Sequence, residues 1–125
     1  MNPPHILIVD DEPNIVMSLE FLMRKNGCQV GIARNGTEAL AAIDHTPFDL
    51  VLLDIMMPDV DGYHVCRALR ARPDRAATKV IFLSAKSKEA DIAAGYAAGA
   101  DLFIPKPFST RQLMVQVREL LGQTV

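Results

Sequence analysis

The chain has 125 residues, 50% apolar and 22% charged, and its 13 Lys and Arg against 15 Asp and Glu leave a net charge of −2. That apolar content excludes intrinsic disorder, the length fits one domain with a core of its own, and the charge balance argues against a nucleic-acid-coating role, which needs excess Lys and Arg on one face. The apolar runs Ile6–Val9, Leu50–Leu53 and Val80–Leu83 fall far short of the roughly 20 residues that cross a bilayer.

The N-terminal Met1-Asn2-Pro3-Pro4-His5 has neither the basic nor the apolar segment of a signal peptide, so a cytosolic chain is expected. The first predicted strand is His5–Val9. Pro13 suits the first turn of a helix, where its missing N–H costs nothing. Ile15, Leu19, Leu22 and Met23 then recur at intervals of three and four until Gly27. Cys28–Ala33 reads as the second strand. Asn35-Gly36 marks a turn, and Gly36 or Thr37 opens a second helix that Thr46-Pro47 stops. Asp49–Leu53 is the third strand, followed by a helix carrying Val65 and Leu69 and stopped by Pro73. Lys79–Leu83 is the fourth strand, and the Ala-rich stretch Ala90–Ala100 reads as a helix ended by Gly99. Asp101–Ile104 is the fifth strand. Ser109 or Thr110 caps the last helix, where Leu113, Val117, Leu120 and Leu121 form one apolar stripe with Arg111, Arg118 and Glu119 off it.

Strands alternating with helices make βαβ units, and right-handed crossovers give a parallel sheet with helices on both faces. The second, third and fourth strand runs lack polar alternation, as expected of strands buried on both faces. The expected fold is therefore a five-stranded doubly wound α/β domain. Its working site should lie beyond the carboxyl ends of the strands, where the strand order reverses. Cys28 and Cys66 fit neither a CxxC nor a Cys/His spacing and are expected to be free thiols. His5, His45 and His64 show no ligand spacing and are expected at the surface or in caps.

The strand ends carry chemistry: Asp10-Asp11-Glu12 after the first, Asp54 after the third, Ser84 after the fourth and Lys106 after the fifth. Singly, each has an ordinary reading. The Asp10–Asp11 pair caps a helix, Asp54 sits in a turn, Ser84 caps a helix and Lys106 is a solvated charge. Together, three carboxylates in one crevice repel each other unless cations compensate. Lys106 supplies one charge and a divalent metal the rest. All-oxygen ligands suit Mg²⁺ or Mn²⁺ rather than zinc or copper. Because Mg²⁺ usually keeps a phosphate oxygen among its ligands, and Lys106 and Ser84 suit a phosphate, the crevice reads as a phosphoryl site. Asp54 ends the most apolar strand and is the expected nucleophile, forming an aspartyl phosphate. Asp10 and Asp11 are placed for the metal. Positioning and charge neutralisation carry such transfers.

The motifs around these residues resemble the receiver domain of two-component response regulators, essentially from Ile6 to Leu121. They are Ile6-Leu7-Ile8-Val9-Asp10-Asp11-Glu12, Leu52-Leu53-Asp54 through Met57-Pro58-Asp59-Val60-Asp61-Gly62, Leu83-Ser84-Ala85, and Gly99-Ala100-Asp101 through Ile104-Pro105-Lys106-Pro107-Phe108. The resemblance implies a flavodoxin-like sheet of order 2-1-3-4-5 with five helices, in one domain spanning residues 1–125 with its core over about 5–121. It makes Asp54 the phosphoacceptor. Asp11 becomes a direct metal ligand together with Asp54 and the backbone carbonyl of Met56, and Asp10 holds the metal through water. Lys106 pairs with the phosphoryl oxygens, Ser84 is the switch hydroxyl, Phe103 is the rotamer-switching aromatic, and Lys106-Pro107 is a cis bond. The implied cofactor is Mg²⁺, with Mn²⁺ as a substitute. The implied partners are a sensor histidine kinase or phosphotransfer protein as donor, and a downstream effector domain or protein. A second copy paired through the face of the fourth helix, fifth strand and fifth helix is a further implied partner. Direct contact with nucleic acid or membrane is not implied.

The chain departs from the common pattern at four places. Met56 and Lys86 stand two residues past Asp54 and Ser84, where side chains help set how fast water attacks the acyl phosphate. Leu102 replaces an acid that one large DNA-binding subfamily uses in dimer salt bridges. Phe103 lacks the hydroxyl of a tyrosine. Competing readings lack residues they need. A haloacid-dehalogenase-like phosphatase wants a second Asp where Met56 stands. A flavin-binding module of the same fold would have its phosphate repelled by Asp10-Asp11-Glu12. A degenerate receiver, acting as a phosphorylation-independent interaction module, would lack an acidic, acceptor or lysine position, and all are present here.

Overall fold

The computed structural model describes residues 3–123, so the parts of the N-terminal and single-domain expectations that fall on residues 1, 2, 124 and 125 lie outside it. The elements run β1 (His5–Val9), α1 (Pro13–Lys25), β2 (Gln29–Ala33), α2 (Gly36–His45), β3 (Leu50–Leu53), α3 (Gly62–Arg70), a 3₁₀ turn (Pro73–Arg75), β4 (Lys79–Ser84), α4 (Glu89–Ala97), β5 (Leu102–Pro105) and α5 (Thr110–Leu120). All strand pairings are parallel, and the sheet order is β2-β1-β3-β4-β5, the flavodoxin-like order. Among the described residues no helix is long and apolar enough to cross a membrane.

Side chains alternate across a strand, so each strand feeds two cores. Leu7, Val9, Val51, Leu53, Val80 and Phe82 point to the layer of α2, α3 and α4, where they meet Ala39, Ile43, Val65, Cys66 and Leu69. Ile6, Ile8, Leu50, Leu52, Ile81 and Leu83 point to the layer of α1 and α5, where they meet Val16, Leu19, Met23, Leu113 and Val117. Each such aliphatic side chain contributes roughly 1.5–3 kcal/mol by leaving water. Both cysteines are buried and free, as expected.

Four expectations need correction. The second strand is not buried on both faces. The crossovers send β2 to the sheet edge, where Gln29 is exposed and Val30, Gly31 and Ile32 are half-buried; β1 takes the interior place, between β2 and β3. Pro73 does not stop α3, which already ends at Arg70; its ring keeps Arg72 extended and opens the 3₁₀ turn. α4 ends at Ala97, because Gly99 reverses the chain at φ +110°, a conformation glycine adopts without strain. His5 is not a surface residue: it is half-buried, with its ring edge-on to Phe48 at 4.5 Å, whereas His45 and His64 are exposed.

Arg70 locks the end of the sheet remote from the strand-end acids. Its guanidinium donates to the Gly99 carbonyl at 2.8 Å, the Thr78 carbonyl at 2.6 Å and the Asp101 carboxylate at 2.8 Å. The same Asp101 oxygen accepts the Val80 N–H at 2.8 Å, so the chain leading into β5 is tied to β4 and α3. Arg70→Ala is expected to leave these acceptors unpaired and lower unfolding stability by about 2 kcal/mol, measured by urea denaturation.

Candidate functional site

The register sets the site. Val9 lies beside Leu53, so the residues that follow them, Asp10 and Asp54, emerge side by side. The backbone pairing runs one residue further on each strand: Asp54 N–H donates to the Val9 carbonyl at 3.0 Å, and Asp10 N–H to the Ala33 carbonyl at 3.2 Å. Both acids are buried, while Asp11 beside them is exposed. One carboxylate oxygen from each of Asp10, Asp11 and Asp54 lies within 4.8 Å of the others. Lys106, just past β5, places its ammonium 2.8 Å from Asp10 and 3.6 Å from Asp54. Its own N–H donates to the Ser84 carbonyl at 3.0 Å, which fixes the end of β5 against β4. The Lys106-Pro107 bond is cis.

The ordinary readings of these residues do not account for them. The N-cap position of α1 is Glu12, with no side-chain cap bond; the Asp10 carboxylate takes the Glu12 N–H at 3.0 Å within the turn that leads into the helix. Ser84 caps no helix: it is buried, and its Oγ accepts the Lys86 N–H at 3.1 Å. Lys106 is largely buried between two acids rather than solvated.

Burial raises the Asp54 carboxyl above its usual range. Lys106 opposes that rise, Asp10 adds to it, and the Ile55 N–H (2.8 Å) and the Ser84 hydroxyl lower it, with burial and Asp10 prevailing. Burial works against the Lys106 ammonium, but its hydrogen bond to Asp10 and the charges of Asp54, Asp10 and Glu12 outweigh it and raise its pKa. One ammonium thus faces three carboxylates in a half-buried crevice. An all-oxygen donor set with excess negative charge fits a hard divalent cation such as Mg²⁺.

The surrounding residues fall as follows. The Met56 side chain is 61% exposed. Lys86 turns away toward α4, where its ammonium lies 3.6 Å from Asp91. Phe103 is buried, 6.0 Å from the Phe82 ring, over Gly95 of α4, where a Cβ would stand 3.0 Å from it. Leu102 is half-buried against the core of the α1 and α5 layer.

Sequence reasoning missed two residues here. The Tyr96 hydroxyl accepts the Phe103 N–H at 3.2 Å and so joins α4 to β5. Asp59, in the loop after Asp54, accepts the N–H groups of Gly36 and Thr37, each at 3.0 Å, and the Thr37 hydroxyl. The Thr37 hydroxyl, with the Val60, Thr37 and Gly36 N–H groups, holds the Asp59 carboxyl well below the usual carboxylate range. Asp59 stands within the receiver-like motif, but its partners lie 22 and 23 positions away, beyond any local pattern.

Comparison with known proteins agrees with this geometry. Residues 6–118 match the family model of the response regulator receiver domain. The chain is 42% identical over 120 residues to the transcriptional regulatory protein ResD of Bacillus subtilis, covering 96% of this chain and 49% of that protein. It is 40% identical over 116 residues to the sensory transduction protein RegX3 of Mycobacterium tuberculosis, covering 93% and 50%. The chain therefore spans about half the length of these relatives. The crystal structure of a CheY-like response regulator receiver domain protein from Methanospirillum hungatei superposes with a TM-score of 0.91 at 32% identity, over 96% of this chain and 94% of that one. On its fold, its strand-end acids and these matches, the chain belongs to the response regulator receiver domain family.

Proposed function

We propose that this receiver domain, in the cytoplasm, takes a phosphoryl group onto Asp54 from a phosphohistidine on a sensor kinase or phosphotransfer protein. The observation that carries the reading is the crevice itself: a buried acceptor carboxylate 3.6 Å from one ammonium and within 4.8 Å of two further acids. An Asp54 oxygen attacks phosphorus, the donor's P–N bond breaks, and an aspartyl phosphate forms. Asp11, Asp54 and the Met56 carbonyl would hold Mg²⁺, with Asp10 acting through water; when bound, the ion neutralises charge on the phosphoryl oxygens. Lys106 leaves Asp10 for a phosphoryl oxygen. The new group carries about −1.5 to −2 charges. It draws the Ser84 hydroxyl away from its bond with the Lys86 N–H, and Phe103 moves into the space that Ser84 vacates. The α4–β5–α5 face then changes, and an effector domain or protein, or a second copy of the chain, reads it. Phosphorylation in this account biases a two-state element already present in the fold.

A protein donor is supported by α1. Met17 and Phe21, one turn apart on its outer face, are 68% and 69% exposed, and the helix begins directly beyond Asp10-Asp11-Glu12. Large apolar side chains left in water beside a reaction site suit a docking surface.

Three outcomes are expected. With Mg²⁺ and acetyl phosphate, intact mass should show one added phosphoryl group on the wild type and none on Asp54→Ala; labelling of that variant would refute the assignment. Phe21→Ala should slow transfer from a phosphohistidine protein about tenfold while labelling by acetyl phosphate is unchanged. The third concerns pH. Because the folded pKa of Asp54 is raised, its protonation favours the fold, and that stability is lost as pH rises from the ordinary carboxylate range through the folded pKa. Asp54→Asn should therefore melt about 3–6 °C above wild type at pH 7, with the gain vanishing at acid pH, by calorimetry.

A further inference from the structure

The loop between β3 and α3, residues 54–61, carries the Met56 carbonyl past the acceptor. Its two ends are fixed by backbone. Ile55 is buried in the core and its N–H donates to Asp54, while Gly62 N–H closes the loop onto the Ile55 carbonyl at 2.9 Å. Gly62 packs so closely that a Cβ there would collide with the Asp54 carbonyl. The middle of the loop is held differently. Among the described residues, the hydrogen bonds reaching residues 56–60 from another element are those on Asp59. Its two carboxylate oxygens take the Gly36 and Thr37 N–H groups separately, and the Thr37 hydroxyl adds a third bond. Gly36 lets α2 approach: a Cβ there would collide with the Val60 carbonyl and stand 2.6 Å from the Val60 Cβ.

α2 has a cap of its own. The Asn35 side chain accepts the Glu38 N–H at 2.8 Å, and the Asn35 carbonyl accepts the Ala39 N–H at 3.0 Å. The helix is thus anchored at its start apart from the grip of Asp59 on the two preceding N–H groups. Met57 and Val60 pack the middle of the loop against the core, and the grip adds its polar anchor.

We propose that Asp59 is a positioning residue for the phosphoryl site: by gripping the first turn of α2 it fixes the loop that carries the Met56 carbonyl, and so sets how tightly the site holds its divalent cation. The inference rests on the reading of the crevice as a Mg²⁺-dependent phosphoryl site. Without the grip, the middle of the loop samples other conformations, and part of the ordering entropy falls on cation binding.

The test compares Asp59→Ala with Asn35→Ala in the full chain. Asn35→Ala removes the helix cap without touching the acceptor loop. Mn²⁺ affinity is measured by electron paramagnetic resonance well below the melting temperature, and amide hydrogen exchange is followed across residues 55–61 in the metal-free protein. Asp59→Ala is expected to weaken Mn²⁺ binding about tenfold, as loss of outer-shell support does in metal sites, and to speed exchange in the loop. Asn35→Ala is expected to lower the melting temperature while its Mn²⁺ affinity stays within about twofold of wild type. Wild-type Mn²⁺ affinity in Asp59→Ala, with or without a lower melting temperature, would overturn the inference and leave the grip purely structural. A wild-type chain that binds no Mn²⁺ would overturn both the inference and the reading of the site beneath it.

Discussion

Asp10, Asp11 and Asp54 bring three carboxylates within 4.8 Å of one another at the mouth of the sheet, and Lys106 is the ammonium that faces them. At an effective dielectric constant near 20, two unit charges about 4 Å apart interact by roughly 4 kcal/mol. The fold holds this repulsion because the acids are not free to leave. Asp10 and Asp54 sit one residue beyond paired strands, with the backbone ladder continued through their own N–H groups. Burial first, with the Asp10 charge adding to it, raises the Asp54 carboxyl above its usual range. A divalent cation would relieve the repulsion by supplying positive charge to the acids, and an anionic phosphoryl group would find its counter-charge in that cation and in Lys106.

In the proposed switch, an event at the crevice would reach a surface through the core layer of α2, α3 and α4. Ser84 ends β4 with its hydroxyl engaged by the Lys86 N–H. Lys86 in turn pairs with Asp91, whose carbonyl accepts the Tyr63 hydroxyl at 3.0 Å. On the same face of the sheet, Tyr63, Phe82 and Phe103 form a row of rings 5.7 and 6.0 Å apart, and Tyr96 ties α4 to the Phe103 backbone. A rotation at Ser84, as proposed, would therefore disturb a packed aromatic row and the start of α4 together, rather than one side chain in water. Lys86, two positions past Ser84, belongs to this connection and pairs with Asp91 rather than Asp54. Phe103, without a hydroxyl, gains or loses only burial when it moves.

Much of this was legible in the sequence because the relevant signals are local. The runs ending at Val9 and Leu53 are apolar and β-rich, and the acids follow them directly, so strand ends and site residues could be read from the same stretches. Pro13 and Gly99 act through their own backbone and Ser109 through a side-chain cap on Gln112, three residues on, and each marked its boundary. What escaped depends on pairing between distant segments. The partial burial of β2 follows from its edge position, which the family's strand order implied but the residues Gln29–Ala33 do not encode. The clamp of Arg70 joins residues 29 and 31 positions apart, and the grip of Asp59 reaches back 22 and 23. His5 carried no motif, and the aromatic partner that half-buries it, Phe48, lies at the far side of two helices in the chain.

The central claim is that the crowded acids of the crevice would take up a divalent cation beside a buried Asp54 carboxyl. The direct measurement is the titration of the Asp54 side-chain carboxyl by carbon-13 nuclear magnetic resonance, in the metal-free protein and with saturating Mg²⁺. The account predicts titration above the usual carboxylate range without metal and a downward shift when Mg²⁺ is added. An Asp54 carboxyl that titrates in the ordinary range and does not respond to Mg²⁺ would contradict it.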